Sequence, residues 1–322
     1  MRYHFSSIEL RLLRLVRPVF DWAKTIIIPG FDRIPLYDVG VFFVNGLHKG
    51  AIATRASAVA FSLIMAIFPA IIFIFTLIPY IPIQDFQQQL LELIQSIVPD
   101  NAYVAIQNTI EEIVMRQNSG LLSIGFAMAL IFSTNGFVTL ISSFNASVNV
   151  NETRNWWEIR AVSLLLVLLI SLLVAIGVAL ITFTETVMNY LVRHEFIKED
   201  FIFYLINGGK WFIIVAVFFF AFSLIYFIAP ARKSKWRFIS AGGTLATILA
   251  IVITIGFKFY INQFGRYNAL YGSIGALPVI MLMVYLNCLA IIIGFELNVG
   301  ILAAQRKKKS LTDISEAELQ EN

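Results

Sequence analysis

Residues 277–303 read LPVIMLMVYLNCLAIIIGFELNVGILA, twenty-seven positions with a single charged side chain, Glu296. About 20 largely apolar residues carry a helix across about 30 Å of hydrocarbon, so this stretch is long enough to span a bilayer. Five others upstream qualify, at roughly 57–80, 121–148, 161–183, 211–228 and 238–261. Backbone groups in lipid must be satisfied within the segment, so continuous runs of this length are helices and not barrel strands. The fold class is therefore all-α, a polytopic membrane protein with six transmembrane helices.

Composition agrees. The 322 residues are 59% hydrophobic and 14% charged, against roughly 45–50% and about 25% in soluble domains, and mean hydropathy is +0.81. These values exclude a soluble globular chain and a disordered one. One cysteine, Cys288, rules out an intrachain disulfide framework. The first apolar run begins near Ser57, too late and too long for a cleaved leader, and is expected to remain as a span.

Orientation follows from Lys and Arg. With the N-terminus inside, the cytoplasmic segments hold eight before the first span, then two, four and four, while the external segments hold six. That three-to-one bias places both termini in the cytoplasm. Three regions result: a cytoplasmic N-terminal region 1–50, a transmembrane domain 51–305, and a polar, acidic tail 306–322 expected to be disordered. Within 5–28, Ile8, Leu12, Leu15 and Val19 recur at helical spacing with Arg11, Arg14 and Arg17 between them. This is an amphipathic basic helix suited to an anionic inner leaflet, or equally to packing on the bundle. Residues 84–117 form an external helical hairpin, a lid or a connector. Nothing in the sequence fixes the oligomeric state.

No catalytic constellation is present. His4, His48 and His194 lie outside the spans without zinc-site spacing, and there is no phosphate-binding loop or nucleophile elbow. The carboxylate pairs Glu111-Glu112 and Glu199-Asp200 are adjacent and point apart on a helix. The expectation is a protein that is not an enzyme, takes no cofactor or metal, and binds no nucleic acid, its +4 charge belonging to the membrane-facing rim.

What remains is polar chemistry inside lipid, which is costly and therefore informative. Glu296 is the only carboxylate well inside a span, and must be protonated, paired or facing a wet cavity. Arg55 sits at the entrance of the first span. Glu296 lies about 10 Å above the inner end of the sixth, so the two are within reach of each other. Asn135 and Asn145 in the second span and Asn287 and Asn298 in the sixth complete the set. A polar cavity among spans one, two and six, around Glu296, Asn135 and Asn287, would favour a transporter or lipid-handling protein. A dry, packed Glu296 would favour a non-transporting scaffold.

Three stretches resemble the YihY/virulence factor BrkB family of bacterial inner-membrane proteins. They are Ala56–Leu63 followed by Phe68-Pro69, then Asn145 with Glu152, Arg154 and Trp156-Trp157, and last Tyr271–Ala276, Tyr285 and Gly294–Asn298. Tyr271 enters as a site residue through this likeness. The family usually has a small residue where Phe295 stands, which narrows any cavity beside Glu296. The resemblance implies six helices in the bacterial inner membrane and suggests handling of lipids or envelope precursors. Members have carried a ribonuclease label, which this chain's lack of metal-binding clusters does not support.

Overall fold

The structure, a computed structural model, describes residues 24–26, 34–49, 51–81, 86–97, 107–108, 110–112, 114–148, 152–193, 199–231, 238–263 and 276–320. Arg11, Arg14, Arg17 and Tyr271 lie outside them. In chain order the helices are α1 Leu36–Lys49, α2 Ile52–Leu77, α3 Phe86–Ile97, α4 Ser119–Val148, α5 Trp156–Arg193, α6 Glu199–Ile228, α7 Ala241–Gln263 and α8 Ala276–Gln320. Six of them, α2 and α4 to α8, are long and apolar enough to cross a membrane. Of the hairpin expected at 84–117, the first half is α3, and residues 107–115 are helical where described.

Local chemistry sets the boundaries. Asn118 Oδ1 accepts from Leu121 N at 2.9 Å and opens α4, and Ser240 Oγ accepts from Gly243 N at 3.1 Å and opens α7. Both supply an acceptor to an otherwise orphaned helix N–H. At α5 the Glu158 carboxylate reaches back to Asn155 N at 3.3 Å, half of a capping box. Pro79 follows α2 and Pro230 follows α6, each unable to continue an α-helical ladder. Pro69 lies within α2, which runs on to Leu77.

Each spanning helix packs on the next, α2 on α4, then α5, α6 and α7, with α8 returning to α2. The ring is filled. Its core draws Ala56, Val59 and Ala60 from α2, Ile141 and Phe144 from α4 and Leu166 from α5. Phe222 and Tyr226 of α6, Ala246 and Ala250 of α7, and Cys288, Ile292 and Phe295 of α8 complete it. Outward the apolar side chains are uncovered: Phe61, Phe183, Phe212 and Phe259 are each 60% exposed or more. An apolar exterior of this extent aggregates in water and is solvated by lipid.

The tail departs from expectation. Residues 310–320 continue α8 as helix instead of being disordered. An existing helix extends without a new nucleation step, and Leu, Ala, Glu and Gln in this stretch are good helix formers. At 45 residues α8 is about 68 Å long, so it must emerge from the bilayer. α1 and the residues just before it pack along the emerging part, with Ile34 and Val39 against Ile301 and Ala304.

Candidate functional site

Four elements meet at the end of the bundle where α1 gives way to α2. The turn between them passes through Ala51 at φ 44°, a left-handed conformation that costs a non-glycine residue about 1–2 kcal/mol. One turn into α2, Arg55 faces inward. Its Nη2 donates to Glu296 Oε1 at 2.5 Å, and its Nη1 donates to Ser143 O at 2.8 Å and also to Ser147 Oγ. Ser147 Oγ in turn donates to Glu296 Oε1 at 2.7 Å, which is shorter than its 3.3 Å approach to Ser143 O. The hydroxyl has one proton, and the charged, closer acceptor takes it. The other carboxylate oxygen lies against α1: a Cβ added at Gly46 would sit 2.9 Å from Glu296 Oε2. Glycine at 46 is what lets α1 close over the pair.

The pair is dry. The Glu296 side chain is 4% exposed and that of Arg55 13%, and Arg55 Nε has no partner among the described residues. Two charges removed from water gain little net stability, but either one alone would be stranded. Beneath them Phe295 stacks on Phe144 with centroids 3.9 Å apart, and Tyr226 meets both rings at 5.7 Å. The large residue at 295 therefore fills the centre of the ring, as its departure from the family pattern implies.

Asn298 does different work. Its Oδ1 accepts from Gly242 N at 2.8 Å and its Nδ2 donates to Ser240 Oγ at 3.0 Å, tying the start of α7 to α8. Backbone contact is intimate there: a Cβ on Gly242 would lie 2.1 Å from Gly294 O. Asn145 joins three segments, donating to Glu152 Oε2 at 2.6 Å and accepting from Ala231 N at 3.0 Å. Glu152 holds Arg154 bidentately, at 2.8 Å for both Nε and Nη2, and Arg154 Nη2 also donates to Ala229 O at 3.0 Å. The Arg154 guanidinium pulls the Glu152 carboxyl below its ordinary range, against the opposing effect of burial.

Asn135 and Asn287 are not among the partners of Glu296. Asn287 donates to Met283 O of its own helix at 2.9 Å. The Asn135 amide makes no side-chain hydrogen bond among the described residues, and its backbone carbonyl accepts from Thr139. The structure thus brings Glu296 to Arg55, Asn298 to α7 and Asn145 to the α4–α5 turn, without gathering the asparagines round one polar cavity. Sequence reading missed Ser147 and Gly46, whose roles depend on helices distant in sequence. Among the described residues no group of three His, Cys, Asp or Glu side chains comes together as a metal site.

Comparison with known proteins adds a lineage. The chain is 30% identical over 268 residues to a ribonuclease-like protein, YfkH, of Bacillus subtilis, covering 83% of this chain and 94% of that one. It is 26% identical over 168 residues to a UPF0761 membrane protein of Idiomarina loihiensis, covering 51% of this chain and 57% of that protein. A UPF0761 membrane protein of Xanthomonas axonopodis pv. citri is 24% identical over 277 residues, covering 83% and 61% respectively. No solved structure matches. Residues 43–318 match the family model of virulence factor BrkB, a range that holds the Arg55–Ser147–Glu296 cluster, the Asn145 junction and all six spanning helices; this chain belongs to the virulence factor BrkB family.

Proposed function

We propose that this is a bacterial inner-membrane protein, both termini cytoplasmic, that handles lipids or lipid-linked envelope precursors and carries out no enzymatic step of its own. One observation carries the reading: among the described residues the core between the spanning helices is packed, and two grooves open between neighbouring helices. A groove of about 560 Å³ lies between α2 and α8, walled by Ala60, Phe61 and Ile64 on one side and Met281, Leu282 and Tyr285 on the other. A second, of about 520 Å³, lies between α4 and α5. Both are lined mainly by apolar side chains, which suits acyl chains and not hydrated solutes. The buried Arg55–Glu296 pair argues against a water-filled path at that end of the bundle.

A scaffold that moves nothing is the second reading, favoured by the same burial of Glu296. Reconstitution separates them. Liposomes carrying a fluorescent phospholipid, with and without the protein, are exposed to a membrane-impermeant reductant. Lipid handling of this kind is expected to bleach the inner-leaflet pool faster than protein-free liposomes allow. Equal rates would remove lipid movement and leave the scaffold.

A further inference from the structure

Arg160 lies one helical turn inside the start of α5. Its Nη1 donates to Thr134 Oγ1 at 3.2 Å, and its guanidinium stands 5.3 Å from the Trp156 ring. Among the described residues no carboxylate lies within ion-pair distance of it. Glu158 is two positions away on the same helix, a spacing that does not face, and is engaged at Asn155 N. Thr134 is 13 residues before the Ser147 end of the second span, about 20 Å along α4. By α5 the same guanidinium is only about 6 Å into its helix. On either count the cation is at or below the headgroup level, where an arginine is costly without an anion.

The surroundings are those of a lipid. Trp156 and Trp157 sit edge to face at 4.4 Å and are 58% and 76% exposed, as aromatic side chains are at membrane interfaces. Beyond Arg160 the same groove is walled by Leu130, Ile131 and Leu164, and Ile131 is 51% exposed. From the start of α5 inward, the aromatic pair, the cation and the apolar trough follow one another, so the tryptophans flank a headgroup, the cation meets its phosphate and the trough takes an acyl chain.

We propose that the groove between α4 and α5 binds an anionic phospholipid, its phosphate on the Arg160 guanidinium and one acyl chain along Leu130, Ile131 and Leu164. This deepens the lipid-handling reading and rests on it for the purpose of the site. Binding is measured apart from movement, so a static site would survive the failure of that reading.

The test uses the full-length protein, delipidated in detergent, and phosphatidylglycerol brominated in its acyl chains, which quenches nearby tryptophans. The parent is expected to be quenched, and the Trp156→Phe/Trp157→Phe variant to lose most of that quenching. Arg160→Gln should weaken binding about tenfold or more, the loss of a charge-assisted contact. Ile131→Phe, at an exposed position, narrows the trough without touching the cation, and should weaken binding while the fold stays intact. Brominated diacylglycerol, which lacks the phosphate, should quench far less. Equal quenching of the parent and Arg160→Gln, or equal binding of diacylglycerol, overturns the proposal. Displacement of the lipid by millimolar inorganic phosphate would also overturn it, identifying a site for the free ion.

Discussion

Arg55 and Glu296 are 241 positions apart, yet their meeting could be anticipated. Each sits near the same end of an oppositely running span, and a lone carboxylate in hydrocarbon demands a partner. Removing one partner strands the other at a cost of about 3–5 kcal/mol. Arg55→Ala is therefore expected to lower the thermal midpoint in detergent clearly, and Arg55→Ala with Glu296→Gln to recover part of the loss; strict additivity would mean the two are not coupled. Ser147 could not be anticipated in the same way, because a serine near a span end is ordinarily a helix-packing residue. Glu152 gives a pH signature. Its carboxyl is held down by Arg154, so its contribution is present in full above the unfolded carboxylate value and is lost as pH falls through the native one. Thermal midpoints of the parent and Glu152→Gln should differ most near neutrality, begin to converge below about pH 4.3 and meet only below the depressed native value. A gap that persists unchanged into acid would show that the Glu152–Arg154 bridge contributes nothing.

The six spans were legible because hydropathy reports a solvent, and lipid leaves a helix no alternative. Their extents were less so. The structure starts α2 five residues before Ser57 and carries α5 ten past Phe183, because a helix does not stop where its hydrophobicity does. Tail residues 310–320 make the same point: composition predicted disorder, but attachment to a long helix decided otherwise. The crossing of α7 and α8 was half legible, since Gly242, Gly243 and Gly294 invite close approach, but nothing in the sequence pairs one helix with the other. Gly242→Ala would place a methyl 2.1 Å from Gly294 O and 2.6 Å from Asn298 Cγ. Both neighbours are fixed, so the helices must part. A loss of about 1–3 kcal/mol is expected, read as a lower midpoint with helix content unchanged. No loss would mean that α7 and α8 are not in backbone contact.

Taken whole, the molecule inverts the arrangement that its polar residues imply. Glu296 and the asparagines suggest a wet interior, whereas Phe144, Tyr226 and Phe295 plug the ring, and the two grooves found among the described residues open between neighbouring helices. The inversion was not readable from sequence, since a buried polar group looks the same whether water or another side chain satisfies it. Orientation is tested by cysteines introduced in a Cys288→Ala background. One at Gly120 should be labelled from outside intact cells by an impermeant reagent and one at Ser234 protected, as the 18-to-6 charge asymmetry requires; labelling at 234 would reverse the topology. The packed centre can be examined without any substitution, because the chain has one cysteine and it lies in that core, 1% exposed. Native membranes are treated with a small water-soluble maleimide, and labelling of Cys288 is followed before and after unfolding in dodecyl sulfate. A packed ring predicts essentially no label until the protein is unfolded; rapid labelling of the folded protein would reveal an aqueous path to the middle of the sixth span and contradict it.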